Sequence, residues 1–208
     1  MTVTAGLVLA AGEGRRFGGP KAPFVLDGVR LVDRAVALLR DTGCDPVLVV
    51  LGAWIGEVPD SVVVVNDEWR EGMGSSLRSG LAALSSYDEV DRVVVTLVDL
   101  PGLTVPAVAR LLESSTSSAS SDAPAAREVL AATTYDGVRG HPVLLGRAHW
   151  DGVREAATGD KGARTYLTTH KHALTLTEVA DLATGTDLDE PPTPARPHIP
   201  SLRDDQGR

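Results

Sequence analysis

Short apolar runs rich in Val, Leu and Ala alternate along the chain with stretches in which apolar residues recur every three or four positions. Continuous apolar runs are typical of strands buried on both faces, and the longer period is typical of amphipathic helices. The runs predict strands over residues 5–10, 46–51, 61–65, 92–98, 129–134 and 173–179. The periodic stretches predict helices over residues 31–40, 75–84, 105–112, 150–157 and 163–169. This alternation predicts a three-layer α/β sandwich with a mostly parallel sheet.

Two segments interrupt the alternation. Residues 113–126 are rich in Ser and Ala, which predicts a solvated loop between elements. Five prolines fall within residues 191–208, which predicts an extended or disordered tail. The sequence therefore predicts one domain over residues 1–190, followed by a Pro-rich tail.

Composition excludes several classes of protein. Of the 208 residues, 43% are hydrophobic and 23% are charged, which excludes a wholly disordered chain and a coiled coil. A formal net charge of -8 argues against a general nucleic-acid binder, because such a protein neutralises phosphates with a basic surface. The single cysteine, Cys44, allows no internal disulfide, and the apolar runs are too short to span a membrane. We expect a cytoplasmic protein that binds neither nucleic acid nor membrane.

A glycine-rich turn from Leu9 to Lys21 follows the first predicted strand. Its small residues allow close approach of a ligand, its backbone N–H groups can surround phosphate oxygens, and Arg16 and Lys21 add positive charge. A P-loop is excluded because Ala22 follows the lysine. Phe17 stands where a dinucleotide fingerprint requires glycine, which disfavours a nicotinamide-dependent oxidoreductase. The alternative interpretation of this segment is a tight strand-to-helix turn that binds no ligand and carries its arginines on the surface.

An aspartate, Asp99, follows the predicted strand over residues 92–98. A carboxylate at the carboxyl end of a buried strand can hold Mg²⁺ between phosphate groups, whereas the alternative is an ordinary turn or cap residue. Upstream, a block from Asn66 to Gly80 can offer backbone groups and the Ser76 hydroxyl to a base. The alternative for that block is a helix start with Ser75 or Ser76 near its cap.

Three further blocks follow in order, namely Gly140-His141-Pro142-Val143, Gly159-Asp160-Lys161-Gly162-Ala163-Arg164 and Asp187-Leu188-Asp189-Glu190-Pro191. Together with the glycine-rich turn and the blocks around Ser76 and Asp99, they resemble the MobA-like nucleotidyltransferases. The molybdenum cofactor cytidylyltransferases are the most similar group. The resemblance covers roughly the first 190 residues and implies a Rossmann-like nucleotidyltransferase fold. The chain departs from the family pattern at Leu100, where the family has Met, and at Glu190, where it has Thr.

The resemblance implies a role for each matched position. Arg16 would bind the β and γ phosphates, Lys21 would steady the α-phosphate, and Asp99 would complete the catalytic set. Mg²⁺ would be held by Asp99 and Asp189, with Asp187 as the alternative second ligand. The implied nucleotide-binding residues are Leu9, Ala10, Ala11, Gly12, Gly14, Arg16, Lys21, Asn66, Gly72, Met73 and Ser76. The implied acceptor-binding residues are His141, Lys161 and Arg164, of which the two cations suit a phosphate.

The implied reaction transfers CMP from CTP to a phosphorylated acceptor of the molybdopterin type and releases pyrophosphate. A molybdoenzyme is a candidate client for the product. CTP is favoured over GTP because Ala11 carries a methyl group where the related guanylyltransferases have Gly, and a purine needs the larger space. Two alternatives stay open: the same chemistry on another acceptor, such as a sugar phosphate, and a non-catalytic chaperone that binds the nucleotide or cofactor.

Overall fold

The computed structural model describes residues 2–114 and 126–191 and contains a seven-stranded sheet in the order β5-β4-β1-β6-β8-β7-β9. Every neighbouring pair is parallel except those of β8, which is antiparallel to both β6 and β7. A separate two-stranded antiparallel hairpin is formed by β2 and β3. The strands are β1 (Val3–Leu9), β2 (Val25–Leu26), β3 (Val29–Arg30), β4 (Val47–Leu51), β5 (Val62–Val65), β6 (Val90–Leu97), β7 (Leu130–Tyr135), β8 (Val138–Gly146) and β9 (Thr175–Glu178).

Helices cover both faces of the sheet. The helices are α1 (Leu31–Asp41), α2 (Met73–Leu84), α3 (Val105–Ser114), α4 (Trp150–Ala156) and α5 (Arg164–Thr169). Apolar side chains of α1 and α3 pack with one face of the sheet, and those of α2, α4 and α5 pack with the other. The interior strand β4 is buried at every position, as a strand covered on both faces must be. The predicted three-layer, mostly parallel α/β fold is confirmed.

The strand order reverses at β1. The chain passes from β1 through α1 to β4 on one side, and later from β5 through α2 to β6 on the other side. In open α/β sheets, such a reversal leaves a crevice outside the carboxyl ends of the strands, where ligands bind. The residues that follow β1 and β6 therefore emerge side by side at this edge.

The predicted helices and strands are present with ends within two residues of the predicted ones. The prediction missed β8 and the β2–β3 hairpin. Gly140 and Pro142 interrupt the apolar pattern of β8, and the first half of that strand is not fully buried. The predicted loop over residues 113–126 begins too early, because α3 continues through Ser114 and a 3-10 turn starts at Ala126.

Residues 115–125 and all but the first residue of the predicted tail lie outside the described residues, so the loop and tail stay predictions. None of the helices in the described ranges is long and apolar enough to cross a membrane.

Candidate functional site

A cavity of about 530 Å³ opens at the carboxyl ends of β1 and β6, in the crevice created by the strand reversal. Most of the predicted nucleotide and metal residues line it. They are Leu9, Ala10, Ala11, Gly12, Gly14, Arg16, Lys21, Gly72, Met73, Ser76, Asp99 and Asp189. The structure thus brings together residues from four of the sequence blocks, while the roles of these residues stay predictions.

The glycine-rich turn is closed by its own backbone. The N–H groups of Gly18 and Gly19 donate to the Gly14 carbonyl at 2.9 and 3.1 Å. Gly14 has a φ of 61°, and a Cβ atom there would collide with the Gly19 carbonyl oxygen, so this position requires glycine. Phe17 is 8% exposed and packs edge-to-face on Phe24 with ring centroids 4.8 Å apart. The aromatic ring therefore anchors the turn where a dinucleotide fingerprint would have glycine.

One lysine joins the two predicted metal ligands. Lys21 Nζ lies 2.7 Å from Asp99 Oδ2 and 3.5 Å from Asp189 Oδ1. The side chains of Lys21 and Asp99 are 15% and 18% exposed, so this ion pair is shielded from solvent. Arg16 reaches to 4.0 Å from Asp189 Oδ2, although its side chain is largely exposed. Positive charge from the turn and carboxylates from two other segments therefore meet at one end of the cavity.

Asp187, the alternative metal ligand, lies near this charge cluster but does not line the cavity. Burial raises the pKa of the Asp187 carboxyl, the Asp99 and Asp189 carboxylates raise it further, and Lys21 opposes them. The Leu188 N–H donates to the Asp99 carbonyl at 2.8 Å, which ties this late segment to the end of β6. Within residues 2–114 and 126–191, no group of three or more His, Cys, Asp or Glu side chains could hold a metal ion by itself.

Asn66 is a predicted nucleotide residue that does not line the cavity. Its side chain is buried and donates to the hydroxyls of Ser75 at 2.9 Å and Ser76 at 3.1 Å. Its own oxygen accepts the Glu68 N–H at 3.0 Å. Asn66 therefore holds the cavity-lining serine in place. Helix α2 begins at Met73 without a side-chain cap, so neither serine serves as the cap.

The three predicted acceptor residues also lie outside the lining of the cavity. Lys161 and Arg164 are exposed. His141 lies on β8, and burial lowers the pKa of its imidazole, opposed by a backbone hydrogen bond with Val95 and by the Asp99 carboxylate. The Nδ1 atom of His141 is buried and has no hydrogen-bond partner within the described ranges. The role of these residues in acceptor binding stays a prediction.

Sequence reasoning assigned no ligand role to six polar or aromatic residues that do line the cavity, namely Glu13, Arg15, Phe17, Trp69, Arg70 and Asp160. The Arg70 guanidinium lies over the Trp69 ring, 4.3 Å from its centroid. Trp69 and Asp160 fall inside motif blocks, but the spacing of a motif does not reveal which side chain of a turn faces the cavity. Arg70 carried no signal in the sequence.

The chain belongs to the family of the MobA-like NTP transferase domain, whose model matches residues 6–174. This membership confirms the family predicted from the motifs. The shape and lining of the cavity agree with it, because a glycine-rich turn, positively charged side chains and carboxylates surround a space large enough for a nucleotide. The class of protein is therefore nucleotidyltransferase.

Particular relatives carry different names. The chain is 36% identical over 198 residues to the nicotine blue oxidoreductase of Paenarthrobacter nicotinovorans, covering 88% of this chain and 91% of that protein. It is 35% identical over 113 residues to a probable molybdenum cofactor guanylyltransferase of Mycobacterium ulcerans, covering 53% and 55%. A solved structure, the homologue of Mycobacterium tuberculosis rv0371c from Mycobacterium sp. strain JC1, superposes with a TM-score of 0.71 at 30% identity, covering 90% of each chain.

Proposed function

We propose that this protein is a Mg²⁺-dependent cytidylyltransferase that moves CMP from CTP to a phosphorylated acceptor of the molybdopterin type. The observation that carries the proposal is the meeting of Lys21, Asp99 and Asp189 at the end of the glycine-rich turn. A binding module for a neutral ligand has no need of a shielded cation between two carboxylates at a phosphate-binding turn.

The donor set fits magnesium. Asp99 and Asp189 offer only oxygen ligands, and Mg²⁺ is commonly held by one or two carboxylates together with substrate phosphates. The Lys21 ammonium now contacts both carboxylates, so it stands where a positive charge is favoured. When bound, the metal would neutralise charge on the phosphates and on the leaving group. We favour Asp189 over Asp187 as the second ligand because Asp189 lines the cavity.

The residues of the chain would then position the reactants. Backbone N–H groups of the turn bind the triphosphate, Arg16 binds its outer phosphates, and Lys21 moves from the carboxylates to the α-phosphate. An oxygen of the acceptor phosphate attacks the α-phosphorus, a new P–O bond forms, and the bond to the bridging oxygen breaks. The electron pair leaves with pyrophosphate. The acceptor phosphate is already ionised, so the protein supplies positioning and charge stabilisation.

CTP is the proposed triphosphate. Ala11 is 4% exposed at the carboxyl end of β1, where its methyl group reduces the space available to a base. A well-packed wall resists added volume, which favours a pyrimidine over a purine. The similar guanylyltransferase of Mycobacterium ulcerans supports an acceptor of the molybdenum cofactor pathway, but its name points to the other base. A sugar phosphate acceptor and a cofactor-binding chaperone are the alternatives within the same site.

An oxidoreductase is the second candidate function. It is favoured by one observation, the match to nicotine blue oxidoreductase over nine-tenths of that protein. The cavity could admit a dinucleotide, because the same turn that binds a triphosphate can bind a pyrophosphate. Phe17 weighs against it, since the ring occupies the position of the third fingerprint glycine.

One set of assays separates these functions. The purified protein is incubated with Mg²⁺, with each of CTP, GTP, ATP and UTP, and with a molybdopterin-type acceptor or a panel of sugar phosphates, and pyrophosphate release is measured. We expect release with CTP and the molybdopterin-type acceptor. Nucleotide binding without release would support the chaperone. Reduction of nicotine blue by NADH or NADPH, without pyrophosphate release, would support the oxidoreductase.

A further inference from the structure

Asp160 is one of the carboxylate residues that line the cavity. Its side chain makes no hydrogen bond or ion pair within residues 2–114 and 126–191 and is open to solvent. Asp99 and Asp189, in contrast, both contact Lys21. A free carboxylate in a site for a polyanion repels phosphate groups, so it belongs beside a part of the ligand that carries hydrogen-bond donors.

The turn that carries Asp160 is seated directly on the start of α2. A Cβ atom at Gly72 would lie 2.5 Å from Asp160 Oδ1 and 2.6 Å from the carbonyl carbon of Gly159. Gly72 has a φ of 105°, so this position requires glycine both for its conformation and for the close approach. A Cβ atom at Gly74 would lie 2.8 Å from the Thr158 nitrogen. The absence of these side chains lets the two segments meet.

An arginine on α2 fastens the same contact. Arg78 Nη1 donates to the Ala157 carbonyl at 2.7 Å, just before the turn, and Arg78 Nη2 donates to Glu71 at 2.7 Å. The Gly159–Lys161 turn and the segment that carries Trp69 are therefore linked through one side chain. This link holds Asp160 at a fixed place on the wall of the cavity, unlike a surface carboxylate on a free loop.

The position of Asp160 indicates which part of the ligand it meets. It touches Gly72, beside Met73 and Ser76, whereas the cations Arg16 and Lys21 lie on the glycine-rich turn. The nucleoside carries the donors, as ribose hydroxyls and base amino groups, and the phosphates carry none.

We infer that Asp160 is a specificity-determining residue that accepts hydrogen bonds from hydroxyl or amino groups of the nucleoside bound between the glycine-rich turn and α2. This inference rests on the proposed function and adds a residue to its nucleotide site. Asp160 selects a nucleotide over a bare polyphosphate, because it attracts the donors of the former and repels the charge of the latter.

The test compares ligands with and without the nucleoside. CTP, GTP and inorganic tripolyphosphate are titrated calorimetrically, with Mg²⁺ and without acceptor, into the wild type, Asp160→Ala and the control Glu155→Ala. Glu155 is an exposed carboxylate five residues earlier that does not line the cavity. We expect Asp160→Ala to weaken binding of the preferred triphosphate about tenfold, as for the loss of a hydrogen bond to a charged group at an exposed site. Tripolyphosphate should bind to Asp160→Ala as tightly as to the wild type, or more tightly. Glu155→Ala should change neither the affinity for the triphosphates nor that for tripolyphosphate.

Equal or tighter binding of both triphosphates to Asp160→Ala would overturn the inference, since it would show only relief of charge repulsion. A wild type that binds no nucleoside triphosphate would instead overturn the proposed function. The 2′-deoxy and 3′-deoxy forms of CTP locate the donor. If Asp160 accepts from a ribose hydroxyl, the form of CTP that lacks this hydroxyl should bind equally well to the wild type and to Asp160→Ala. If Asp160 accepts from the base, both deoxy forms should lose as much affinity as CTP does.

Discussion

Replacing Asp99 by Asn tests the centre of the proposed site, because it removes one charge and keeps the shape of the side chain. In the wild type, Asp99 Oδ2 accepts from Lys21 Nζ at 2.7 Å, and the two side chains are 15% to 18% exposed. After the change, Lys21 keeps its contact with Asp189 at 3.5 Å. The lysine is therefore not left without a counter-ion, and the fold should survive.

The two expected effects differ greatly in size. The loss of one partly shielded ion pair, with a second carboxylate still beside the lysine, should lower the free energy of unfolding by about 1 kcal/mol. The loss of a charge that stabilises the transition state should lower the rate of pyrophosphate release on the order of a hundredfold or more. A stability effect alone cannot produce that loss, because the folded population would hardly change.

The assay measures pyrophosphate release and thermal unfolding of the same preparations. Asp91→Asn is the matched control, since Asp91 lies at the opposite end of β6 and pairs with Arg127 at 2.8 Å. We expect similar unfolding for both variants and loss of activity only for Asp99→Asn. Near-normal release by Asp99→Asn with Mg²⁺ would refute the metal assignment. Separate Asn variants of Asp187 and Asp189 identify the second ligand, and we expect the larger loss at Asp189.

Three further outcomes are expected. Arg16→Ala should weaken triphosphate binding about tenfold in calorimetry. Arg15→Ala should have little effect, because Arg15 already pairs with Glu13, which lines the cavity beside it. Equal losses would place the turn one residue out of register. Ala11→Gly should lower the ratio of kcat/KM for CTP to kcat/KM for GTP. In the wild type, shape alone should set this ratio at about 10–200-fold. Hydrogen bonds from the N–H groups of Gly137, Ala180 and Asp136 and from the Thr134 hydroxyl lower the pKa of Glu178 to about 2. Its contribution to stability is therefore complete above pH of about 4.5 and is lost as pH falls towards 2, so the unfolding difference between wild type and Glu178→Gln should shrink over that range.

The glycine-rich turn was predictable because it is local. Strand β1, the turn and Lys21 follow one another in the chain, so their meeting requires no knowledge of distant contacts. The carboxyl-end position of Asp99 was predictable for a similar reason, since a buried strand fixes where its end emerges. Their approach to within 2.7 Å follows from the parallel pairing of β1 with β6.

The rest depends on how separate segments dock. Strand β8 was missed because Gly140 and Pro142 break its apolar pattern, although pairing with β6 and β7 stabilises it. Lys161 and Arg164 were natural choices for a phosphate, yet Asp160 is the residue of that block that lines the cavity. The contact of Gly72 with the turn decides this orientation, and a contact between residues 72 and 160 leaves no periodic trace in the sequence.

Relatives of this chain are named as an oxidoreductase and as transferases, and the charges of the cavity bear on which of these two functions it supports. Backbone N–H groups of the turn can bind any pyrophosphate, so nucleotide binding alone does not distinguish transfer of a nucleotide from transfer of a hydride. The proposed metal ligands, Asp99 and Asp189, would distinguish them. Without a metal, Lys21 and Arg16 already pair with the two carboxylates, and a dinucleotide would bring two more negative charges towards these carboxylates. A divalent cation removes that repulsion, and it also stabilises the leaving pyrophosphate in nucleotidyl transfer. Hydride transfer gains nothing from this second effect, so the presence of both carboxylates in the cavity favours the transferase.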